Sequence, residues 1–273
     1  MAFLIVDEST CRKDGICLAE CPMSLITFQE DTGHPVLIPG GDEVCNRCGH
    51  CIAVCPKGAL EHSDIPGEDC PKIKPALTIS EEQAFQFLRS RRSIRAYKDK
   101  PVEKEKVRRL IEAARYAPTG GNFQMVEWLV LTDKNKLHEI ATMTIAHFRR
   151  EIKKKPQLLQ YFSPIIKFWE SGLDSILWNA PVLVVASAPK IAATGMQDVC
   201  ISLTYLDILA PTLGLGTCWA GLVQQALISL PALKEFLGVP ADHPHHYPMM
   251  VGYPKAKYYR MPGRKQPIIT MAE

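Results

Sequence analysis

The chain has 273 residues, of which 47% are apolar and 22% charged, and this composition excludes collagen-like, disordered and highly charged proteins. Its 32 basic and 29 acidic residues leave a formal charge of +3, which gives no argument for a nucleic-acid or membrane-surface partner. The longest candidate for a membrane segment, residues 182–188, is far shorter than the roughly 18 residues that cross a bilayer. The first residues lack the basic start and the length of a secretory signal, so we expect a cytoplasmic protein without a membrane segment.

Cysteine is concentrated near the N-terminus, where eight of the ten cysteines lie within the first 70 residues. A disulfide framework is the ordinary explanation for dense cysteine in an exported protein. No export signal precedes these thiols, however, and they stand two or three residues apart. The pattern therefore favours a reducing compartment and metal binding.

The cysteine-rich segment contains an internal repeat. One copy reads C-x2-C-x2-C-x3-C-P at Cys45, Cys48, Cys51 and Cys55-Pro56. The same frame occurs 34 residues earlier as Cys11, Asp14, Cys17 and Cys21-Pro22. Such self-similarity indicates duplication of one structural unit with a short helix and flanking strands. Three thiolates on so short a loop can hold three corners of a cubane iron-sulfur cluster, and the loop cannot supply the fourth.

Both copies resemble the two-cluster bacterial ferredoxins, over about residues 1–65. In that family the fourth cysteine of each run binds the cluster of the other run. The resemblance implies one 4Fe-4S cluster bound by Cys45, Cys48, Cys51 and Cys21. It implies a second cluster bound by Cys11, Cys17 and Cys55, with Asp14 where a thiolate is expected.

The carboxylate at Asp14 leaves three outcomes open for this second cluster. Asp14 can bind one iron of a 4Fe-4S cluster, the corner can be lost to give a 3Fe-4S cluster, or this half can hold no cluster. Our hypothesis is a cluster with Asp14 as a labile ligand or with an open iron corner, because a carboxylate holds that iron less firmly than sulfur and the other three positions are intact. Zinc is the competing metal for C-x2-C pairs. A zinc ion takes four ligands, however, and the two runs contain seven thiols, so iron-sulfur clusters are the favoured interpretation.

A linker rich in proline and glycine, residues 66–79, separates this segment from the rest of the chain. After it, Ser80 and Gln83 form the capping box of one predicted helix, and a second helix follows Pro101 and ends before Pro118. Strands are predicted at residues 126–131, 182–186 and 248–252, and a helix that is apolar almost all round at residues 196–213. Helices and strands alternate without a strict βαβ rhythm, which indicates an α+β domain over residues 80–273.

Two further features of this region have plain explanations. The stretch from Arg89 to Arg109 contains ten basic residues, but stacking aromatics are nearly absent, and a solvated helix face explains the charge better than nucleic-acid binding. His243, His245 and His246 suggest a metal site, yet their proline-rich surroundings predict a solvated loop.

Three separated segments and the C-terminal tail resemble the FMN-dependent nitroreductase family. They are residues 91–95 (RRSIR), 117–124 (APTGGNFQ), 213–219 (LGLGTCW) and 251–264. The resemblance implies that FMN is bound by Arg91, Arg92, Ser93, Arg95, Pro118, Thr119, Asn122, Gln124, Gly221, Leu222 and Arg264. Arg91 and Arg264 are candidates for the FMN phosphate, because a guanidinium group matches a phosphate with two parallel hydrogen bonds. Arg95 would lie near the electron-accepting N1/O2 side of the ring, and the turn at Gly221 near N5.

The two resemblances together imply an oxidoreductase. Iron-sulfur clusters move electrons singly and a flavin can deliver two, so we expect electrons to pass from the clusters to FMN and on to a nitro, quinone or other unsaturated small molecule. No side-chain acid or base stands out as catalytic, which suits chemistry done by the cofactor. The expected donor is a one-electron carrier such as ferredoxin, or NAD(P)H, and the family implies a homodimer. A non-catalytic electron carrier or redox sensor is the alternative.

Overall fold

The computed structural model describes residues 3–272, which form two packed units. One unit contains the N-terminal residues up to Thr78 together with Gly121–Phe123, and the other contains Ile79–Gly120 and the residues from Gln124 onward. No helix within the described range is both long enough and apolar enough to span a bilayer. The cysteine runs and the arginine-rich segments therefore belong to different units.

The cysteine-rich unit is built from short elements. They are β1 (Leu4–Val6), α1 (Ile16–Ala19), β2 (Ile26–Phe28), β3 (Pro35–Leu37), α2 (Gly41–Val44), α3 (His50–Val54) and β4 (Leu60–His62). β1 pairs with β4 and β2 with β3, both antiparallel. Each cysteine run enters its helix through a glycine in the left-handed conformation, Gly15 at φ +75° before α1 and Gly49 at φ +71° before α3. The sequence repeat therefore corresponds to a repeated local structure, a cysteine-containing loop that enters a short helix through a left-handed glycine.

The larger unit is a four-stranded antiparallel sheet covered by helices. Its elements are α4 (Glu81–Ser90), α5 (Lys104–Ala114), β5 (Glu127–Leu131), α6 (Lys134–Lys154), α7 (Leu159–Glu170), β6 (Val182–Ala188), α8 (Gly195–Leu209), β7 (Gly216–Trp219), α9 (Gly221–Ser229), α10 (Pro231–Leu237) and β8 (His245–Gly252). The strand order is β5-β6-β8-β7. Every residue of β6 is buried, because alternate side chains enter two separate apolar clusters, with Leu183 on one face and Val184 on the other. The predicted α+β class is confirmed.

The capping box predicted for the first helix of this unit is confirmed, but the prediction for α8 needs correction. Ser80 Oγ accepts a hydrogen bond from Gln83 N at 3.2 Å, and the Gln83 side chain accepts one from Ser80 N at 2.9 Å, so a capping box starts α4. The apolar stretch at residues 196–213 predicts a central helix buried all round, but α8 is buried on one side only, and its Ile201 and Tyr205 are 36% and 41% exposed. A 3-10 turn at residues 210–213 follows α8 and ends at Gly214. The φ of this residue is +73°, a left-handed conformation that glycine adopts with little strain because it has no side chain.

The prediction of a solvated loop at the three histidines is wrong. β8 begins at His245, and the flanking His243 and His246 are 4% and 5% exposed. Ser187 Oγ lies 2.9 Å from Nδ1 of His243, and Gln224 Oε1 lies 3.2 Å from Nδ1 of His246. A buried polar ring is stable only with such partners. These partners come from distant parts of the chain, so local composition does not reveal them.

The surroundings of Gly252, the last residue of β8, are packed too tightly for an added methyl group. Gly252 of β8 lies opposite Gly216 of β7, and a Cβ at Gly252 would lie 2.6 Å from both Pro181 Cδ and Tyr97 Cδ1. We expect Gly252→Ala to lower the free energy of unfolding by about 1–3 kcal/mol, because overpacking forces the neighbours to shift. Chemical denaturation measures this loss. Gly263→Ala is the matched control, since no atom lies within 4 Å of its Cβ, and equal stability of the two variants would contradict the packing argument.

Candidate cofactor sites

A cavity in the cysteine-rich unit is lined by Cys11, Asp14, Cys17 and Cys55, and we call it the first thiol pocket. Burial raises the pKa of Cys17, and the nearby Cys11 and Cys55 thiols act in the same direction. The exposed carboxylate of Asp14 accepts a hydrogen bond from Ile16 N at 3.2 Å. The structure therefore groups three cysteines from two different runs with the aspartate, as the ferredoxin resemblance implies.

The second thiol pocket is lined by Cys21, Cys45, Cys48 and Cys51. Burial raises the pKa of Cys51 to about 11, and the other three thiols raise it as well. Leu25 N donates a hydrogen bond to Cys21 Sγ at 3.3 Å, and Ala59 N does the same for Cys55 Sγ at 3.3 Å in the other half. Each fourth cysteine is thus held in the pocket of the opposite run.

The two pockets fit clusters better than single ions. Within residues 3–272, no three His, Cys, Asp or Glu side chains converge closely enough to hold one metal ion. A zinc ion requires its ligands to meet at one point, whereas each corner of a cubane cluster takes a separate thiolate. Burial and the neighbouring thiols raise the pKa values of Cys17 and Cys51. Such thiols lose their protons only when a positively charged group, such as the iron of a cluster, binds the resulting thiolates. The donor sets therefore suit iron-sulfur clusters.

In the larger unit, the segment that begins at Arg91 is attached to β7. Arg91 Nη1 lies 3.5 Å from Oδ2 of Asp207, a carboxylate whose side chain is 6% exposed. The Thr217 hydroxyl donates a hydrogen bond to the same carboxylate. Ser93 also forms a parallel bridge with Thr217. The first and third of the predicted FMN segments therefore lie side by side.

A groove with a basic lining adjoins Arg91. Its cations are Arg89, Arg91, Arg92, Arg264 and Lys265, and its apolar walls are Phe85, Leu88 and Pro262. Nη1 of Arg92 donates to the carbonyl oxygens of Arg89 and Arg91, at 3.1 and 2.7 Å. No acidic side chain among the described residues lines this groove. Five cations around one groove suit an anionic group such as phosphate, and both arginines predicted for that role are among them.

Four of the residues predicted to bind FMN, Ser93, Arg95, Gly221 and Leu222, lie near the end of β7. Burial raises the pKa of Cys218, and the charge of Arg95 and the hydroxyl of Ser93 oppose this rise, which places both side chains near the strand. Gly221 follows the strand as the exposed first residue of α9, and Leu222 beside it is half-buried. This end of β7 therefore presents a guanidinium group together with the first backbone N–H groups of a helix.

The second predicted segment begins at the opposite end of α8. Its Pro118 is exposed, and Gly120 N donates to Asp198 Oδ1 at 3.1 Å near the start of the helix. Asp207, which pairs with Arg91, is nine residues further along α8. At about 1.5 Å per residue, about 14 Å of helix axis separates the two carboxylates. Within this unit the second segment is therefore remote from the basic groove.

Asn122 belongs to the cysteine-rich unit, where its Nδ2 donates to the carbonyl oxygens of Asn46 and Arg47, at 3.0 and 2.9 Å. These partners are not the flavin contact that the resemblance implies. In the larger unit, Gln124 N donates to Thr119 Oγ1 at 3.0 Å. A role for Thr119, Asn122 and Gln124 in FMN binding stays a prediction.

Sequence reasoning missed three side chains that organise these sites. Asp198 and Asp207 are both buried in α8, and each holds one of the predicted segments. Their isolation in an otherwise apolar helix is a usable signal, since a buried carboxylate needs a partner. His62 lies beside the second thiol pocket, and no local pattern marks it.

Two parts of the chain match known families. Residues 88–253 match the nitroreductase family, and residues 10–59 match the 4Fe-4S dicluster domain. A protein of Archaeoglobus fulgidus named NADH dehydrogenase/NAD(P)H nitroreductase is 26% identical over 179 residues, covering 64% of this chain and 87% of that protein. The FMN reductase (NAD(P)H) of Bacillus subtilis is 27% identical over 169 residues, covering 59% of this chain and 66% of that protein. A solved nitroreductase with bound FMN from Bacteroides fragilis has a TM-score of 0.59 at 22% identity, covering 71% of this chain and 100% of that one.

Proposed function

Since this chain belongs to the nitroreductase family and carries a 4Fe-4S dicluster domain ahead of it, we propose that it passes electrons from iron-sulfur clusters to FMN and on to a nitro, quinone or other unsaturated small molecule. The observation that carries the proposal is the presence of two thiol pockets and a basic groove in one polypeptide. The named relatives, a nitroreductase and an FMN reductase, support flavin chemistry in the larger unit.

The basic groove is the proposed site of the FMN phosphate, between Arg91 and Arg264. Arg91 has five N–H donors, of which the contact with Asp207 uses a part, so others are free to bind an anion. The flavin ring would extend toward the end of β7, where Arg95 and the start of α9 lie. A cation and helix N–H groups at this place stabilise negative charge on the ring. When bound, FMN supplies the two-electron reduction of the acceptor.

The second predicted segment would complete the site of another copy of the chain. About 14 Å of helix axis separates it from the groove in its own unit, so each chain holds two parts of the site at different ends of α8. Phe85 and Leu88 of α4 are 61% and 56% exposed, and an apolar face of this kind suits a subunit contact. We therefore propose a homodimer with FMN lined by both chains. A flavin-loaded monomer in analytical ultracentrifugation would contradict it.

The two thiol pockets are the proposed cluster sites, with the ligand sets that the ferredoxin resemblance implies. When bound, such clusters transfer single electrons. The second pocket would hold its cluster with four thiolates, whereas the first, with Asp14 exposed at the fourth position, would offer three thiolates and a carboxylate oxygen. A one-electron carrier such as ferredoxin is the proposed donor, and NAD(P)H is the donor that the names of the relatives suggest.

An anaerobic preparation tests the whole proposal. We expect an absorption spectrum with flavin and iron-sulfur bands, together with measurable iron, sulfide and FMN for each chain. Protein reduced by dithionite should then reoxidise over many turnovers when a nitroaromatic or quinone is added. A colourless protein that resists reconstitution would overturn the proposal, and a single stoichiometric reoxidation would assign the chain to electron storage rather than catalysis.

We expect the Asp14→Cys variant to bind iron in the first thiol pocket more firmly than the wild type does. Sulfur binds this iron more firmly than an exposed carboxylate oxygen, so the variant should keep more iron after exposure to air and should show a shifted reduction potential for one cluster. Iron analysis and EPR spectroscopy measure both effects. Asp42→Cys, which adds an exposed thiol elsewhere in the same unit, is the control. Unchanged iron content, cluster type and potential would show that Asp14 does not contact the cluster.

A further inference from the structure

His62, at the end of β4, directs a ring nitrogen at a sulfur of the second thiol pocket. The side chain is 4% exposed and lines the pocket, and its Nε2 lies 4.0 Å from Cys45 Sγ. The other ring nitrogen, Nδ1, accepts a hydrogen bond from Asp64 N at 2.9 Å. A neutral imidazole carries one proton, and Nδ1 is occupied as an acceptor, so the proton is on Nε2. The resulting N–H group faces the Cys45 sulfur.

The surroundings of His62 hold the ring in this orientation. The Phe3 ring packs edge-on against it, with 4.1 Å between ring centroids. The Asp64 carboxylate binds Arg47 Nε at 2.6 Å, which anchors the loop that supplies the hydrogen bond to Nδ1. Arg47 N also donates to Cys45 Sγ, at 3.4 Å. Two N–H groups therefore approach the same sulfur from residues that are tied together.

The internal repeat provides a comparison within the same chain. The offset of 34 residues that relates Cys45 to Cys11 also relates His62 to Phe28. His62 ends β4 and Phe28 ends β2, and each lines the pocket that contains its own first cysteine. A phenyl ring has no N–H group to donate. The two pockets thus share a framework of repeated elements, and besides Asp14 in place of Cys48 they differ in the ring at this position, where only His62 carries an N–H group.

We propose that His62 is a positioning residue that donates a hydrogen bond to Cys45 Sγ and thereby raises the reduction potential of the cluster in the second thiol pocket. Reduction adds negative charge that is shared with the ligand sulfurs, and an N–H donor stabilises this charge more in the reduced state than in the oxidised state. The first pocket, with Phe28 in the corresponding place, lacks this contribution. The inference rests on the proposed presence of clusters in both pockets.

An anaerobic redox titration of the full protein, followed by EPR spectroscopy, tests this role. Loss of signal in Cys51→Ala identifies the cluster of the second pocket. His62→Phe keeps an aromatic ring of similar size but has no N–H donor. We expect the equilibrium constant for reducing that cluster to fall about tenfold, a shift of about 59 mV to lower potential for one electron. The potential of the other cluster should not change. His62→Gln restores an N–H donor and should recover most of the loss.

Iron and sulfide contents of each variant separate the possible results. If His62→Phe binds iron as the wild type does and keeps its potential, the inference is overturned while the proposed function stands. Equal shifts in His62→Phe and His62→Gln would also overturn it, because packing rather than the hydrogen bond would then be responsible. His62→Met is a second variant without a donor, for use if the Phe variant loses iron. A wild-type protein without a cluster in this pocket would overturn the proposed function and the inference with it.

Discussion

Cys51→Ala is expected to remove about half of the bound iron and sulfide, because it dismantles one of two clusters. Cys51 lines the second pocket with the other three ligands, and burial raises the pKa of its thiol to about 11. FMN should stay bound, since the groove and the end of β7 belong to the other unit. Colorimetric iron and sulfide assays, with flavin release and absorbance, measure the three quantities.

Cys70→Ala is the matched control for this experiment. Cys70 is exposed and lies outside the linings of both thiol pockets, so its removal should leave the iron content unchanged. Full iron content in Cys51→Ala would show that the second pocket does not hold a cluster.

Cys51→Ala also identifies the electron donor. If reduced ferredoxin charges the flavin through the clusters, its reaction with Cys51→Ala should slow, whereas direct reduction by NAD(P)H should not.

Arg264→Ala is expected to weaken FMN binding by roughly 10- to 100-fold, because a hydrogen bond to a charged group contributes about 1.5–3 kcal/mol. Arg264 is exposed and lines the basic groove, so its loss removes a phosphate donor without opening a cavity in the core. Fluorescence titration of the flavin-free protein with FMN measures the dissociation constant. Arg260→Ala removes an exposed cation of the same tail that is outside the groove lining, and it should bind FMN as the wild type does.

Riboflavin, which lacks the phosphate, makes this second experiment specific. Arg264→Ala should bind riboflavin as well as the wild type, because the missing guanidinium group had no phosphate to contact. An equal loss of affinity for FMN and riboflavin would contradict the placement of the phosphate in the groove. Arg91 is less suited to this test. It pairs with the buried carboxylate of Asp207 at 3.5 Å, so its removal would destabilise the protein as well as the site.

The two cysteine runs could be recognised because they depend on spacing along the chain, and the ferredoxin resemblance then implied which thiols share a cluster. Three thiols within seven residues on a tight turn necessarily face a common volume, and the 34-residue repeat doubles the arrangement. The capping box of α4 and the apolar stretch of α8 are likewise local, since each depends on residues within a few helical turns. These features needed no knowledge of the rest of the fold.

Contacts between distant residues could not be obtained in this way. The partners of Arg91 and Gly120 are buried carboxylates of α8, and the histidines near β8 are buried against Ser187 and Gln224. None of these pairs has a characteristic spacing. Which side chains meet is decided by how helices pack on the sheet, and a buried polar group then selects whichever partner the packing brings near.

The amino-acid sequence by itself determined the two cysteine runs and their repeat, the α+β class and the arginines suited to a phosphate, since these follow from short-range spacing, periodicity and side-chain chemistry. The tertiary structure alone decided that Arg91 and Arg264 share a groove, that the loop at Gly120 lies at the other end of α8, and that an imidazole N–H faces Cys45 in one half of the repeat. The physical reason is that covalent geometry constrains neighbours in the chain, whereas contacts across the fold arise only when the whole core is packed.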